Sequence, residues 1–407
     1  NDSYFYPSVG ASWIFTQMIN KMGGSTGPLT FGKIRASWAQ VGNDTDPYML
    51  RDYYNLDYDI KGGIFGATNE EWMANPELKN ETINSWELGL ELKALDNRIG
   101  VDLAYYKKNS KDQILKIDVP SATGFKKKMI NAGNIENKGV EIALTATPVI
   151  TPSGFVWDTQ LNWSKNNNKV VSLTDDTKEQ ILSDASVTFM KIVAHEGGSY
   201  GDIYGYGYLR DDAGNMVIGK DGVPIKTNDM ILLGNNQPDW MMGWTNTFSF
   251  KNFTFSFMID MRKGGDVYMG SIVAGTRNGT LDMTLPGREG GIVVPGVLED
   301  KSVNTVDINA QKYWSGISGI TEAYMYDATN IRLRELSLGY TFPKSLLSKT
   351  PFTNLKLSFV ARNLWMIHSN TKGFDPEAAY TSGNAQGIEY GSMPTMRSLG
   401  LNLNVAF

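Results

Sequence analysis

Apolar and polar residues alternate strictly along short stretches of this chain. In residues 85–93, Trp86, Leu88, Leu90 and Leu92 alternate with Glu87, Gly89, Glu91 and Lys93. Residues 155–164 repeat the pattern, with Phe155, Trp157, Leu161 and Trp163 on one face and Asp158, Gln160 and Asn162 on the other. Trp240, Met242, Trp244, Phe248 and Phe250 make a further apolar row, followed by Phe253, Phe255, Phe257 and Ile259, with Asp260 on the polar side. The chain closes on Leu399, Leu401, Leu403, Val405 and Phe407, alternating with Ser398, Gly400, Asn402 and Asn404. A period of two is the signature of a strand with one apolar face. Weaker alternation near residues 4–16, 29–40, 98–108, 137–147, 327–342 and 353–365 brings the total to about eleven strands. Strands of about ten residues, tilted, cross a bilayer.

The connections alternate between short and long. Lys251-Asn252, residues 94–98 around Asp96-Asn97, residues 147–154 and residues 342–353 are short turns. Long stretches near 41–83, 109–133, 165–236, 262–326 and 366–395 lie between them. Structureless loops of that length are uncommon in compact soluble domains, whereas outer-membrane barrels carry short periplasmic turns and long extracellular loops. That assignment predicts a last strand descending to the periplasm and a first strand that also descends, so that Asn1 lies on the extracellular side. A single-chain barrel with an even strand number starts from the periplasm. The chain is therefore expected to lack the beginning of its barrel. The two edge strands, near 4–16 and 397–407, are expected to pair with protein outside this chain, because an open edge in lipid leaves backbone groups unsatisfied.

Composition narrows the picture. The 407 residues include 42 glycines, 10 tryptophans, 19 tyrosines and no cysteine, with 38 basic against 43 acidic residues. That balance gives no electrostatic footprint for nucleic acid, and the missing cysteines exclude disulfides and thiolate metal sites. No apolar run approaches the roughly 18 residues of a membrane-spanning helix. The mean hydropathy of −0.28 is compatible with a barrel, in which only alternate residues face lipid. The chain opens on Asn1 without Met or a signal-peptide pattern, so any targeting segment is expected upstream or already removed.

Particular stretches resemble a known family. Asn75-Pro76-Glu77-Leu78-Lys79-Asn80-Glu81-Thr82, running into Ser85-Trp86-Glu87-Leu88-Gly89, resembles a stretch of TonB-dependent receptor barrels. Residues 134–141 (NIENKGVE), 233–240 (LGNNQPDW), 331–343 (IRLRELSLGYTFP), Ala361-Arg362-Asn363-Leu364 and Gly373-Phe374-Asp375-Pro376-Glu377 resemble motifs of its SusC/RagA-like branch, in the same order. Phe407 matches the terminal aromatic of barrels of this class and is identified through that resemblance as an assembly signal. The resemblance implies the C-terminal half of a barrel of about 22 strands, a size class with a plugged lumen. It further implies import of oligosaccharides or peptides across the cell outer membrane, a SusD-like surface lipoprotein and a TonB energy-coupling complex. The plug domain and TonB box of that family are not recognisable here, so the N-terminal half is an expected partner.

The residues offer little catalytic chemistry. His195 and His368 are far apart in predicted loops and read as ordinary histidines rather than as metal ligands or triad members. The pairs Asp175-Asp176 and Asp211-Asp212 read as solvated loop rather than a hydrolytic dyad. Asp211-Asp212-Ala213-Gly214-Asn215 lacks an EF-hand's later glutamate and reads as a turn. Tyr204, Tyr206 and Tyr208, alternating with Gly205 and Gly207, are either an edge strand or an aromatic surface on which a sugar or peptide stacks, with the glycines letting the ligand approach the backbone. Trp72, Trp314, Tyr380 and Tyr390 are further candidate ligand contacts. Arg332 and Arg334 break the apolar pattern; they are candidate lipopolysaccharide contacts, guanidinium pairing with phosphate, or loop salt bridges. No cofactor, no metal and no enzyme activity is expected. The reading is an all-β, antiparallel transmembrane barrel acting as a nutrient importer. Its rivals are a passive porin or structural barrel and a soluble all-β carbohydrate-binding protein.

Overall fold

The computed structural model describes residues 4–45, 47, 49–60, 63–174, 177–184, 189–371, 373–379 and 383–407. Eleven strands follow one another in a single antiparallel meander: β1 (Ser8–Trp13), β2 (Leu29–Asn43), β3 (Glu81–Ala94), β4 (Ile99–Asp118), β5 (Lys127–Ile150), β6 (Phe155–Ser172), β7 (Trp240–Phe250), β8 (Phe253–Lys263), β9 (Asn330–Thr341), β10 (Asn354–Ser369) and β11 (Ser398–Ala406). A twelfth, two-residue strand, Trp72–Met73, joins parallel to Lys127–Lys128 at the loop end. β1 and β11 are the two ends of this order, and among the described residues they do not pair with each other.

Register follows the alternation. Leu90 sits between Ile34 and Leu103, and Phe255 between Phe248 and Leu338. These rows make one apolar face that stays exposed: Trp86 is 61% accessible and Leu401 76%. So wide an exposed apolar surface is unusual for a soluble protein and suits contact with lipid. The other face is a ladder of charges. Arg35 binds Asp102 at 2.9 Å and Glu87 at 3.3 Å, and Lys33 binds Glu91 at 3.0 Å. No helix among the described residues is long and apolar enough to cross a membrane.

The short turns lie where the sequence placed them. Between β3 and β4, Leu95, Asp96 and Asn97 all take the left-handed conformation, which Asp and Asn tolerate better than most residues. The first strand departs from expectation. Pairing stops at Trp13, and a helix, α1 (Phe15–Lys21), takes over. Phe15 then lays its ring over Gly32, where a β-carbon would stand 2.1 Å from the ring; only glycine admits this packing.

The stretch at 109–133, expected as a loop, is mostly strand. β4 and β5 continue as a hairpin through Asp118 and Lys127, beyond the lipid-facing rows, where Ile114, Met129 and Leu115 pack against loop residues such as Trp72 and Leu173. Alternation fades where neither face meets lipid. Expected strand 327–342 likewise divides: β9 begins at Asn330, and Met325–Asp327 pairs with Asp266–Met269 in a separate sheet. Both histidines, expected in loops, lie in strands, His195 at the end of Met190–His195 and His368 in β10.

The remaining long connections are folded rather than structureless. Residues 179–235 contain a four-stranded sheet built from Glu179–Asp184, Met190–His195, Tyr200–Gly205 and Ile231–Asn235. Residues 264–329 carry the helices α2 (Gly270–Arg277) and α3 (Ala310–Gly316). These loops share one apolar core, in which Met190, Ile203, Met269, Ile272, Tyr324 and Ile388 are almost wholly buried.

Candidate ligand cavity beneath the folded loops

Loop and wall meet on the polar face. Near the loop end of β9, a bulge sets two residues, Arg334 and Glu335, against one position of β8 between Met258 and Ile259. A bulge re-aims side chains, and here it brings Arg334 onto the polar face beside Arg332. Arg332 is buried and binds Asp375 at 2.6 Å. Arg334 binds Asp260 of β8 and, at 2.8 Å, Glu377. The segment 373–378 is thereby fastened to the barrel wall.

Asp375 also accepts hydrogen bonds from Oγ1 and the backbone N–H of Thr395, at 2.5 and 2.9 Å. Burial alone would raise the Asp375 carboxyl, but the bonds from Arg332 and Thr395 outweigh it and hold its pKa at about 2. Arg332 Nε is buried without a partner among the described residues, so the charge is balanced more completely than the hydrogen bonding.

Under this clasp lies a cavity of about 540 Å³. Its walls include Tyr106 and Arg262 from the strands, Asn236, Gln237 and Trp240 from the approach to β7, and Glu377 from the clasp. Arg262 is held by the carbonyl oxygens of Asn236 at 2.8 Å and Gly264 at 3.5 Å. Asn236 in turn donates to Gln386 O at 2.8 Å. Burial pushes the carboxyl of Asp266, also on the wall, upward, and neighbouring Asp327 and Asp239 add to the shift against a bond from the Asn235 N–H. Volume and mixed lining suit a polar ligand of a few residues or sugar units.

The aromatic candidates do not form one surface. Tyr204 ends in the four-stranded loop sheet. Tyr206 carries Lys226 over its ring at 4.0 Å. Tyr208 packs against the loop core, and burial drives its hydroxyl pKa well up. The glycines between them admit protein rather than leave backbone free: a β-carbon at Gly205 would stand 2.6 Å from Thr321, and one at Gly207 2.6 Å from Ile231. Trp72 is buried with Ala74 and Met129. Tyr390 is exposed and lies across Gly270. Tyr380 lies outside the described residues, as do Asp175 and Asp176. Trp314 stands on the wall of a second, smaller cavity.

Of the two readings of Arg332 and Arg334, lipopolysaccharide contact or loop salt bridge, the structure displays the ion pairs. Their guanidinium groups are committed to Asp375, Asp260 and Glu377, which is the salt-bridge alternative. Asp211 accepts from the Ala213 and Asn215 backbone N–H groups and from the Asn215 side chain, closing the expected turn. Phe407 follows β11, exposed, with its ring against Phe352 at 5.5 Å. Sequence reasoning did not select Asn236, Gln237, Arg262 or Glu377 as site residues. Asn236, Gln237 and Glu377 belong to the motifs at 233–240 and 373–377, whereas Arg262 carried no such signal.

An open meander with one lipid-facing side, a charged inner wall and loops folded onto that wall defines a segment of an outer-membrane β-barrel. Residues 1–364 match the family described as "TonB dependent receptor-like, beta-barrel", and the chain belongs to it. It is similar to TonB-dependent receptor P3 of Formosa agariphila, 28% identical over all of this chain and 42% of the relative, and to TonB-dependent receptor P26 of the same organism, 30% identical over all of this chain and 43% of the relative. TonB-dependent receptor SusC of Bacteroides thetaiotaomicron is 24% identical over 92% of this chain and 37% of its own length. The solved structure titled "RagAB peptide importer" in the "closed-closed" state superposes with a TM-score of 0.74 at 18% identity, covering all of this chain and 44% of that one. The chain thus spans less than half the length of these relatives.

Proposed function

We propose that this chain is the C-terminal barrel portion of a TonB-dependent importer that carries oligosaccharides or peptides across the outer membrane. The observation that carries the reading is the 540 Å³ cavity between the polar wall and loops fastened to it by Arg332 and Arg334. The likeness to SusC and to the RagAB peptide importer supports a SusD-like lipoprotein over the loops and energy from a TonB complex. The outer edges of β1 and β11, unpaired among the described residues, support the view that further strands come from polypeptide outside this chain.

The test is uptake of labelled oligosaccharide and peptide mixtures by cells with and without the gene, in TonB-competent and TonB-deficient backgrounds. Uptake that needs both the gene and TonB is expected. Gene-dependent uptake that is indifferent to TonB would establish the porin reading instead. A closed barrel formed by this chain alone, β1 paired to β11, would overturn the partial-barrel assignment.

A further inference from the structure

Within the loops, a cavity of about 380 Å³ lies between the C-terminal end of α2 and the N-terminal end of α3. Its lining includes Arg277, Asn278, Arg288, Asn309, Gln311 and Trp314, and among the described residues no Asp or Glu lines it. Two full positive charges thus share a small cavity in a chain whose formal net charge is −5.

The two arginines differ in a useful way. Arg288 is fixed. Its Nε donates to Thr284 O at 3.0 Å, and one terminal nitrogen reaches Thr284 Oγ1 at 2.6 Å and Gly279 O at 2.5 Å. All three acceptors are neutral, so they orient the guanidinium without cancelling its charge. Arg277, the last residue of α2, is exposed and its side chain makes no hydrogen bond or ion pair among the described residues. Trp314 forms one wall, edge-on to Tyr313 at 5.0 Å. Its indole N–H is buried and has no acceptor among the described residues.

We infer that this cavity is a carboxylate-binding subsite, in which Arg288 presents an oriented guanidinium, Arg277 closes over the anion, and Trp314 supplies a flat wall for the group that carries it. The planar fork of guanidinium matches a carboxylate two bonds at a time. The inference rests on the import reading and narrows its substrates to acidic ones: a uronic-acid oligosaccharide or a peptide bearing a free C-terminus.

The experiment uses the full transporter in detergent and titration calorimetry. The probes are a uronic-acid trisaccharide, its methyl ester, a tripeptide with a free C-terminus and its amide. The acid of one pair is expected to bind at least tenfold tighter than its neutral counterpart, with an advantage that shrinks as salt rises. Whichever pair shows it identifies the carrier of the carboxylate. Arg277→Gln, which removes no hydrogen bond or ion pair seen among the described residues, is expected to remove most of that advantage, and Arg288→Lys a smaller part. Equal affinity within both pairs, or an acid preference untouched by Arg277→Gln, would overturn the assignment. Binding in detergent needs no TonB, so these failures would leave import standing, whereas TonB-independent uptake would sink the import reading and leave carboxylate binding measurable.

Discussion

The indole N–H of Trp157 donates to the side-chain oxygen of Asn246 at 3.0 Å, on the lipid-facing side of the sheet. Asn246 stands opposite Thr159 on β6 and Phe257 on β8, in the apolar row of Trp244 and Phe248, yet only 1% of it is accessible. A second indole, Trp244, donates to Thr159 Oγ1 at 2.9 Å. Two tryptophans thus cover the one polar pair in that row, although Asn246 Nδ2 is left without a partner. Trp157→Phe should destabilise the barrel by about 1–3 kcal/mol by orphaning the Asn246 oxygen. Trp157→Phe with Asn246→Leu should recover most of it. Urea or heat unfolding of the reconstituted transporter, followed by gel mobility, reads both. Additive losses in the double variant would show that the bond does not matter.

Leu90 should tolerate no charge. It lies between Ile34 and Leu103 in the lipid-facing row, and Leu90→Arg near mid-membrane should cost about 2–4 kcal/mol. Spin labels at positions 90 and 255 should report lipid-soluble oxygen rather than water-soluble relaxants. Aqueous accessibility at both would invert the assignment of faces.

The clasp should be asymmetric to mutation. Arg332→Met leaves Asp375 charged in a buried site, and breaking a buried pair from one side costs about 3–5 kcal/mol. Arg332→Met together with Asp375→Asn should cost less. The expected readout is protease cleavage within residues 370–387, fast in the single variant and slower in the double.

Acid should release the same clasp. The Asp375 pKa of about 2 lies below its unfolded value near 4. Its contribution is therefore complete above about pH 4 and is lost as the pH falls toward 2. Hydrogen exchange at Glu377 and Ala378 should stay constant from pH 7 to 4, after correction for intrinsic rates, and rise below. A rise between pH 7 and 5 would rule out Asp375 as the titrating group.

Removing Phe407 should reduce the amount of assembled barrel more than it changes ligand affinity. The residue ends the last lipid-facing row, and among the described residues its ring packs against that of Phe352. Surface quantification against calorimetry on the protein that does assemble separates the two effects. Wild-type surface levels would dismiss the assembly role.

The sequence by itself determined the wall. Alternation fixes which face of each strand meets lipid, because a slip of one residue would turn every Leu of β3 or β11 into the lumen; short turns such as Asp96-Asn97 then fix the order. Local signals also located the Asp211 turn and the motifs that carry the family resemblance. Tertiary structure decided the rest. The loop core joins Met190, Ile272, Tyr324 and Ile388, residues far apart in the chain and without a common period, so no local pattern reveals it. The bulge that turns Arg334 inward looks in sequence like a broken strand, and its partners Asp260 and Glu377 come from elsewhere. Gly205 and Gly207 read equally well as ligand clearance or packing clearance, and only the approach of Thr321 and Ile231 decides between them. The physical reason is that lipid imposes one repeating constraint along every strand, whereas the loops bury their surface on one another, through contacts that each occur once.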